Sequence, residues 1–147
     1  MKNLTNRTKV ALTVLCYLGL TLFMNSCKDN DTPPNCGCES ETRTTIPESA
    51  NLVGEMFYLK PTASGDDYYT NLFWIVYTEQ NCSNCIHHMV VCNEDFLKDE
   101  FENLKDLPND ESIQVKFSGH LKEICEKRFA PGDYTYERIT LISIEQQ

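Results

Sequence analysis

The side chains with the most chemistry in this chain are its cysteines, eight in 147 residues: Cys16, Cys27, Cys36, Cys38, Cys82, Cys85, Cys92 and Cys125. Two spacings suit thiol chemistry. Cys36-Gly37-Cys38 and Cys82-Ser83-Asn84-Cys85 together offer four thiolates, the number a tetrahedral zinc site takes. His87, His88 and Met89 follow directly, and soft Cys and Met ligands also suit copper(I). On a strand, however, His87 and His88 point to opposite faces and do not readily chelate one ion together. A c-type haem needs histidine directly after the second cysteine, where Ile86 stands.

Two of the eight cysteines stand apart from the rest. Met1 to Lys9 is basic through Lys2, Arg7 and Lys9, and Val10 to Met24 is mostly apolar. That run is shorter than the roughly 20 residues that span a bilayer as a helix, and it suits a signal-peptide core. Cys16 lies inside it and is expected to leave with residues 1–26. Asn25-Ser26-Cys27, right behind the apolar core, resembles a lipoprotein signal, in which the cysteine is lipidated and becomes the new N-terminus. With Lys28-Asp29-Asn30-Asp31 behind it, the chain resembles outer-membrane lipoproteins of Bacteroidota, where an acidic cluster can accompany surface export. The resemblance implies a protein held to the outer membrane by lipid on Cys27 and displayed at the cell surface.

Cys36, Cys38, Cys82, Cys85, Cys92 and Cys125 then remain, an even set in an exported protein, so structural disulfides are the leading expectation and no metal or cofactor is expected. Each bridge typically contributes about 2–4 kcal/mol, and six cysteines leave the connectivity open. Cys82 and Cys85 flank a turn and can bridge each other. Cys92 and Cys125 fall at the ends of core elements. Cys36 and Cys38 are too close to pair comfortably, so at least one should reach the domain and pin the segment around it.

The chain carries 22 acidic against 13 basic residues, a net charge of −9, and the only charges before Cys27 are basic. The remainder is therefore more acidic still. Such a field repels phosphate backbones and anionic headgroups, which argues against nucleic acid as a partner.

The elements that must position these residues begin late. Residues 27–50, with Pro33-Pro34 and Pro47, show no periodicity and read as the lipidated N-terminus and a flexible arm. Residues 51–147 read as one domain. Leu52 to Lys60 is a first strand, and Leu72 to Tyr77 is a continuous apolar run suited to a strand buried on both faces. Ile86 to Cys92 is a third strand. Asn93 is placed to cap a helix that begins at Glu94-Asp95, carries Leu97, Phe101 and Leu104 on one face, and stops at Pro108. Ile113 to Leu121 alternates, with Gly119 in an inward slot that signals a bulge or sharp bend. Lys122 to Lys127 reads as a short helical turn, and Tyr134 to Glu145 is the last strand.

Three strands, a helix and two strands is the order of a five-stranded OB-like small barrel, so the fold class is mostly β; a five-stranded sandwich-like meander is the alternative. The chain also resembles small Bacteroidota lipoproteins with an OB-like domain and no assigned activity. Phe73 to Tyr77 running into Cys82-Ser83-Asn84-Cys85 resembles a thioredoxin strand and active site, and the runner-up is a thiol-dependent envelope protein, either a metal binder or a dithiol oxidoreductase using Cys82 and Cys85. Yet Ile86 to Val91 is rich in β-formers, where a thioredoxin needs a helix N-terminus to lower the thiol pKa. No serine elbow or phosphate-cradling glycine loop is present, so no catalytic residue is assigned. Tyr58, Tyr68, Tyr69, Trp74, Tyr134 and Tyr136 can build a face for stacking a sugar or a peptide. Trp74 reads as core and Tyr68-Tyr69 as the exposed platform. The expectation is a non-enzymatic binding or adaptor module for a protein or glycan ligand.

Overall fold

The computed structural model describes residues 34–62, 69–126 and 133–147, all within one compact unit, Pro33–Gln147. The signal-peptide stretch, Cys16, Cys27 with its acidic run, and Tyr68 lie outside the described residues. Among the described residues, six strands form one sheet: β1 (Thr42–Ile46), β2 (Leu52–Leu59), β3 (Leu72–Thr78), β4 (Ile86–Val91), β5 (Ile113–Glu123) and β6 (Tyr134–Gln146). β2, β3 and β4 make an antiparallel meander. β6 lies parallel to β4, and β5 pairs antiparallel with both β6 and β2. The sheet therefore runs β2-β3-β4-β6-β5 and back to β2, a closed five-stranded barrel rather than an open meander.

β1 lies in the stretch that read as a flexible arm. β5 is long enough to serve two short strands on one edge: β2 pairs with Ile113 to Phe117, and β1 with Gly119 to Lys122. The sequence Thr42 to Ile46 is exposed over most of its length, so it carries no alternation to reveal it.

Alternation along the other strands divides the apolar residues into two clusters. Met56, Phe73, Ile75, Met89, Phe117 and Ile139 fill the barrel with their neighbours. Trp74, Val90 and Ile124 form a second cluster with Phe57, Leu59, Tyr69, Leu72 and Tyr136 packed against it. β3 thus buries Phe73, Trp74 and Ile75 in succession, as its unbroken apolar run requires.

Gly119 does mark a bulge. Pairing passes from Ser118↔Ser143 to Gly119↔Leu141, which leaves Ile142 as the extra residue on β6. The backbones approach closely there: a Cβ on Gly119 would stand 2.6 Å from the Thr140 carbonyl oxygen and 2.8 Å from Ile139 Cγ1.

The helical connection between the third and fourth barrel strands is present, but as two 3-10 segments, Glu94–Phe96 and Asp99–Lys105, parted by extended Leu97 and Lys98. Phe101, Leu104 and Leu107 recur every third residue, the period of about three per turn that a 3-10 helix needs to keep one face on the barrel. The break leaves no single α-helix here, and Lys105 bonds Glu102 at 2.8 Å within the second segment. Nor does the Asn93 side chain cap the segment. Its amide accepts from the Leu141 N–H at 2.8 Å and donates to the Leu141 carbonyl at 3.0 Å, and so extends the β4–β6 ladder by one rung beyond the strand. The expected helical turn at Lys122 is also a strand: Lys122 and Glu123 pair with Arg138 and Glu137 because β5 must reach that far to close on β6.

The six remaining cysteines stand as three pairs in disulfide geometry. Cys82 pairs with Cys85 across the β3–β4 turn, as its spacing suggested. Cys36 pairs with Cys125 and Cys38 with Cys92, so both members of Cys36-Gly37-Cys38 reach the barrel. Gly37 sits between them at φ +90°, a left-handed conformation that favours glycine, and its N–H donates to the Glu123 carbonyl at 2.7 Å. The segment before β1 is thus fastened to the ends of β4 and β5.

Candidate ligand-binding face

The outer surface of β3, β4 and β6 is built from three rows of side chains set by strand register. The first row is Phe57, Trp74, Val90 and Arg138; the second is Glu55, Val76, His88 and Tyr136; the third is Thr78, Ile86 and Tyr134. A barrel strand that faced only water on this side would alternate apolar and polar residues. Here the outward positions are mainly apolar or aromatic.

The rings form a connected series across the rows. Phe57 and Trp74 lie nearly parallel with centroids 6.4 Å apart, and Tyr136 meets Trp74 edge-on at 6.4 Å. His88 stacks on Tyr136 at 4.7 Å and lies 5.5 Å from Tyr134. Trp74 is the floor of the series, only 2% exposed, whereas Tyr134 at 36% is its most open member. Phe57, Val76, Ile86, His88 and Tyr136 are half-buried.

Tyr69 closes one end of the face. Its backbone is left-handed, φ 59°, a conformation that costs a non-glycine residue on the order of 1–3 kcal/mol. Hydrogen bonds and ring contacts hold it there. The Trp74 indole donates to the Tyr69 carbonyl at 3.1 Å, and the Tyr69 ring meets Trp74 edge-on. The Tyr69 hydroxyl donates to the Glu126 carboxylate, and the Arg138 guanidinium lies 4.7 Å above its ring. Burial, with the Glu126 bond second, raises the Tyr69 pKa, so the hydroxyl stays protonated as that donor. The β2–β3 and β5–β6 loops, which carry Tyr69 and Glu126, are thereby joined beside Trp74.

A polar cleft of about 480 Å³ lies beside the third row, between Ala50–Val53 and Tyr77–Asn81. It opens because β2 leaves β3 beyond the Glu55↔Val76 pair and follows β5 instead. Asn51, Thr78, Glu79, Gln80 and Asn81 line it with amide, hydroxyl and carboxylate groups.

The structure sorts the aromatic residues that the sequence offered. Tyr69, Trp74, Tyr134 and Tyr136 come together on the outer face. Tyr58 packs against the barrel core instead, edge-on to Phe73 at 5.0 Å. Trp74 is core, as its run implied. Nothing local in the sequence marks Phe57 or Arg138 for this face, and His88 reads there only as a metal ligand. Strand alternation gives the face of each residue, but only the pairing register shows that they are neighbours.

His87 and His88 do point to opposite faces. His87 stacks on Tyr77, and its ring nitrogens bond Glu79 at 2.9 Å and Thr135 at 2.8 Å. Nearby, Glu137 is mostly buried, and burial raises its pKa despite the opposing pull of Arg43 and His87. Its carboxylate lies 3.8 Å from Arg43, which also bonds Glu123 at 2.6 Å. Cys82 sits in a hairpin turn and Cys85 leads into β4, so neither thiol receives the helix dipole that activates a thioredoxin cysteine.

Among the described residues, no helix is long and apolar enough to cross a membrane. Neither a protein-family model nor a curated protein matches the chain.

Proposed function

We propose that this chain is a non-enzymatic binding module of the cell envelope, lipid-anchored through Cys27, that takes a glycan on the outer face of an OB-like barrel. The observation that carries the reading is the ring series Phe57–Trp74–Tyr136–His88–Tyr134 on an outward sheet surface. Flat rings beside a cleft of amides and hydroxyls match a ligand with apolar C–H faces and a hydroxyl rim.

The OB-like assignment is supported by strand order. The barrel's third and fifth strands, β4 and β6, are parallel and all its other pairs antiparallel, with the helical connection between the third and fourth. OB-folds bind oligosaccharides and oligonucleotides on the face of their second and third strands, between the loops that join strands one to two and four to five. Here those are β3 and β4 and the loops of Tyr69 and Glu126. The net charge of −9 turns the choice toward the neutral ligand. The lipid anchor rests on the resemblance of Asn25-Ser26-Cys27 to a lipoprotein signal.

The test titrates the protein with neutral and amino-sugar oligosaccharides, reading the fluorescence of Trp74, the sole tryptophan. Saturable change for one sugar class, lost in Tyr134→Ala and Tyr136→Ala with the fold retained, is the expected result. Binding that survives both substitutions, or no binding across the series, would reject the face as the site. Cys27→Ser should release the protein from membranes; if it still sediments with them, the anchor is wrong.

A further inference from the structure

The tip of the β3–β4 hairpin holds a second group of chemistry-bearing side chains. Cys82 and Cys85 face each other there, Cα atoms 5.3 Å apart. The tip has its own backbone bonds. The Cys82 N–H donates to the Glu79 carbonyl at 3.2 Å, Cys85 to Cys82 at 3.0 Å, and Glu79 to Cys85 at 3.1 Å. The turn is therefore held without the sulfur–sulfur bond. The parallel register Ile86↔Tyr134 brings Cys85 and Asp133, the residues just before each, side by side. Cys82 Sγ, Cys85 Sγ and an Asp133 carboxylate oxygen all lie within 4.8 Å of one another.

We propose that Cys82, Cys85 and Asp133 form a redox-gated site for a thiophilic divalent cation, zinc in the first instance. In the closed state the two sulfurs are bonded and the site has one carboxylate to offer. An external dithiol opens it: two electrons and two protons pass to the Cys82–Cys85 bond, which becomes two thiols, while the dithiol becomes a disulfide. Each thiol then releases one proton as zinc binds. Two thiolates and a carboxylate supply three ligands, and the exposed side of Asp133 admits water as the fourth, which completes a tetrahedral set. This bridge is also the one suited to opening, because it closes a loop only three residues long, against 54 and 89 for the others. The chain-entropy stabilisation lost on opening it is correspondingly the smallest.

The test uses the full-length protein with limiting dithiothreitol, the open bridge being identified by alkylation and peptide mass mapping. Native mass spectrometry should find one zinc per chain after reduction of Cys82–Cys85 and none before. Cobalt in place of zinc should give thiolate charge-transfer absorption. Cys82→Ser should abolish binding. Asp133→Asn should weaken it by about tenfold or more, at least what loss of a supporting group costs a metal site. The proposal fails if the reduced protein with its other two bridges intact retains no zinc. It fails equally if Asp133→Asn binds as tightly as the parent, if the oxidised protein binds as well as the reduced, or if another bridge opens first.

Discussion

Removing disulfides one at a time should separate their contributions by loop length. Consider Cys82→Ser/Cys85→Ser against Cys38→Ser/Cys92→Ser. A cross-link stabilises mainly by restricting the unfolded chain, and the restriction grows with the logarithm of the loop it closes. For a separation of three residues the chain-entropy relation gives about 2 kcal/mol, and for 54 residues about 4 kcal/mol. The surviving Cys36–Cys125 bridge shortens the free path in the second variant and lowers its figure by a few tenths of a kcal/mol. With a urea slope of roughly 2 kcal/mol/M, the unfolding midpoints should fall by about 1 M and about 2 M respectively. The assay is urea unfolding without reductant, followed by the fluorescence of Trp74, which is 2% exposed in the fold. Equal shifts, or a larger shift for the Cys82–Cys85 variant, would refute the loop-length reasoning. They would also show that the short bridge holds more than its turn.

Glu137→Gln should stabilise the protein at neutral pH and leave it unchanged near pH 4. The folded pKa is raised by burial, so stability falls as pH rises from the usual carboxylate value of about 4.5 through the folded value. Melting temperatures from pH 4 to 8 check this, and a gain that shrinks with rising pH would contradict it. Gly119→Ala should cost about 1–3 kcal/mol by denaturant unfolding, because the new methyl meets the Thr140 backbone at 2.6 Å and only a backbone shift relieves it. Phe101→Ala should cost about 3–5 kcal/mol in the same assay, since Phe101 is wholly buried under the barrel, whereas exposed Phe96→Ala should stay within about 0.5 kcal/mol.

Some of this protein was legible in its residues alone, and the reason is locality. The apolar run of β3, the alternation of β5, the bulge at Gly119, the opposed directions of His87 and His88 and the Cys82–Cys85 bridge all depend on neighbours a few positions apart. The cysteine spacing Cys36-Gly37-Cys38 likewise implied that the segment must fasten to the domain, without saying where.

What only the tertiary structure decided involves remote residues meeting across closure of the sheet. Whether Cys36 reaches Cys125 or Cys92 depends on which strand ends lie together. The exposed threonines of β1 become a strand only because β5 leaves an edge free beside β2. Asn93 reads as a helix cap until the β4–β6 ladder offers its amide two backbone partners on Leu141. Leu97 and Phe101 suggested a continuous α-helix, but the mouth of the barrel accepts Phe101 and Leu104 at 3-10 spacing instead. The ring series exists only because the parallel β4–β6 register sets Tyr134 and Tyr136 beside Ile86 and His88, and the same register carries Asp133 to Cys85. Spacing along the chain determines which face a side chain takes; register across strands determines its company.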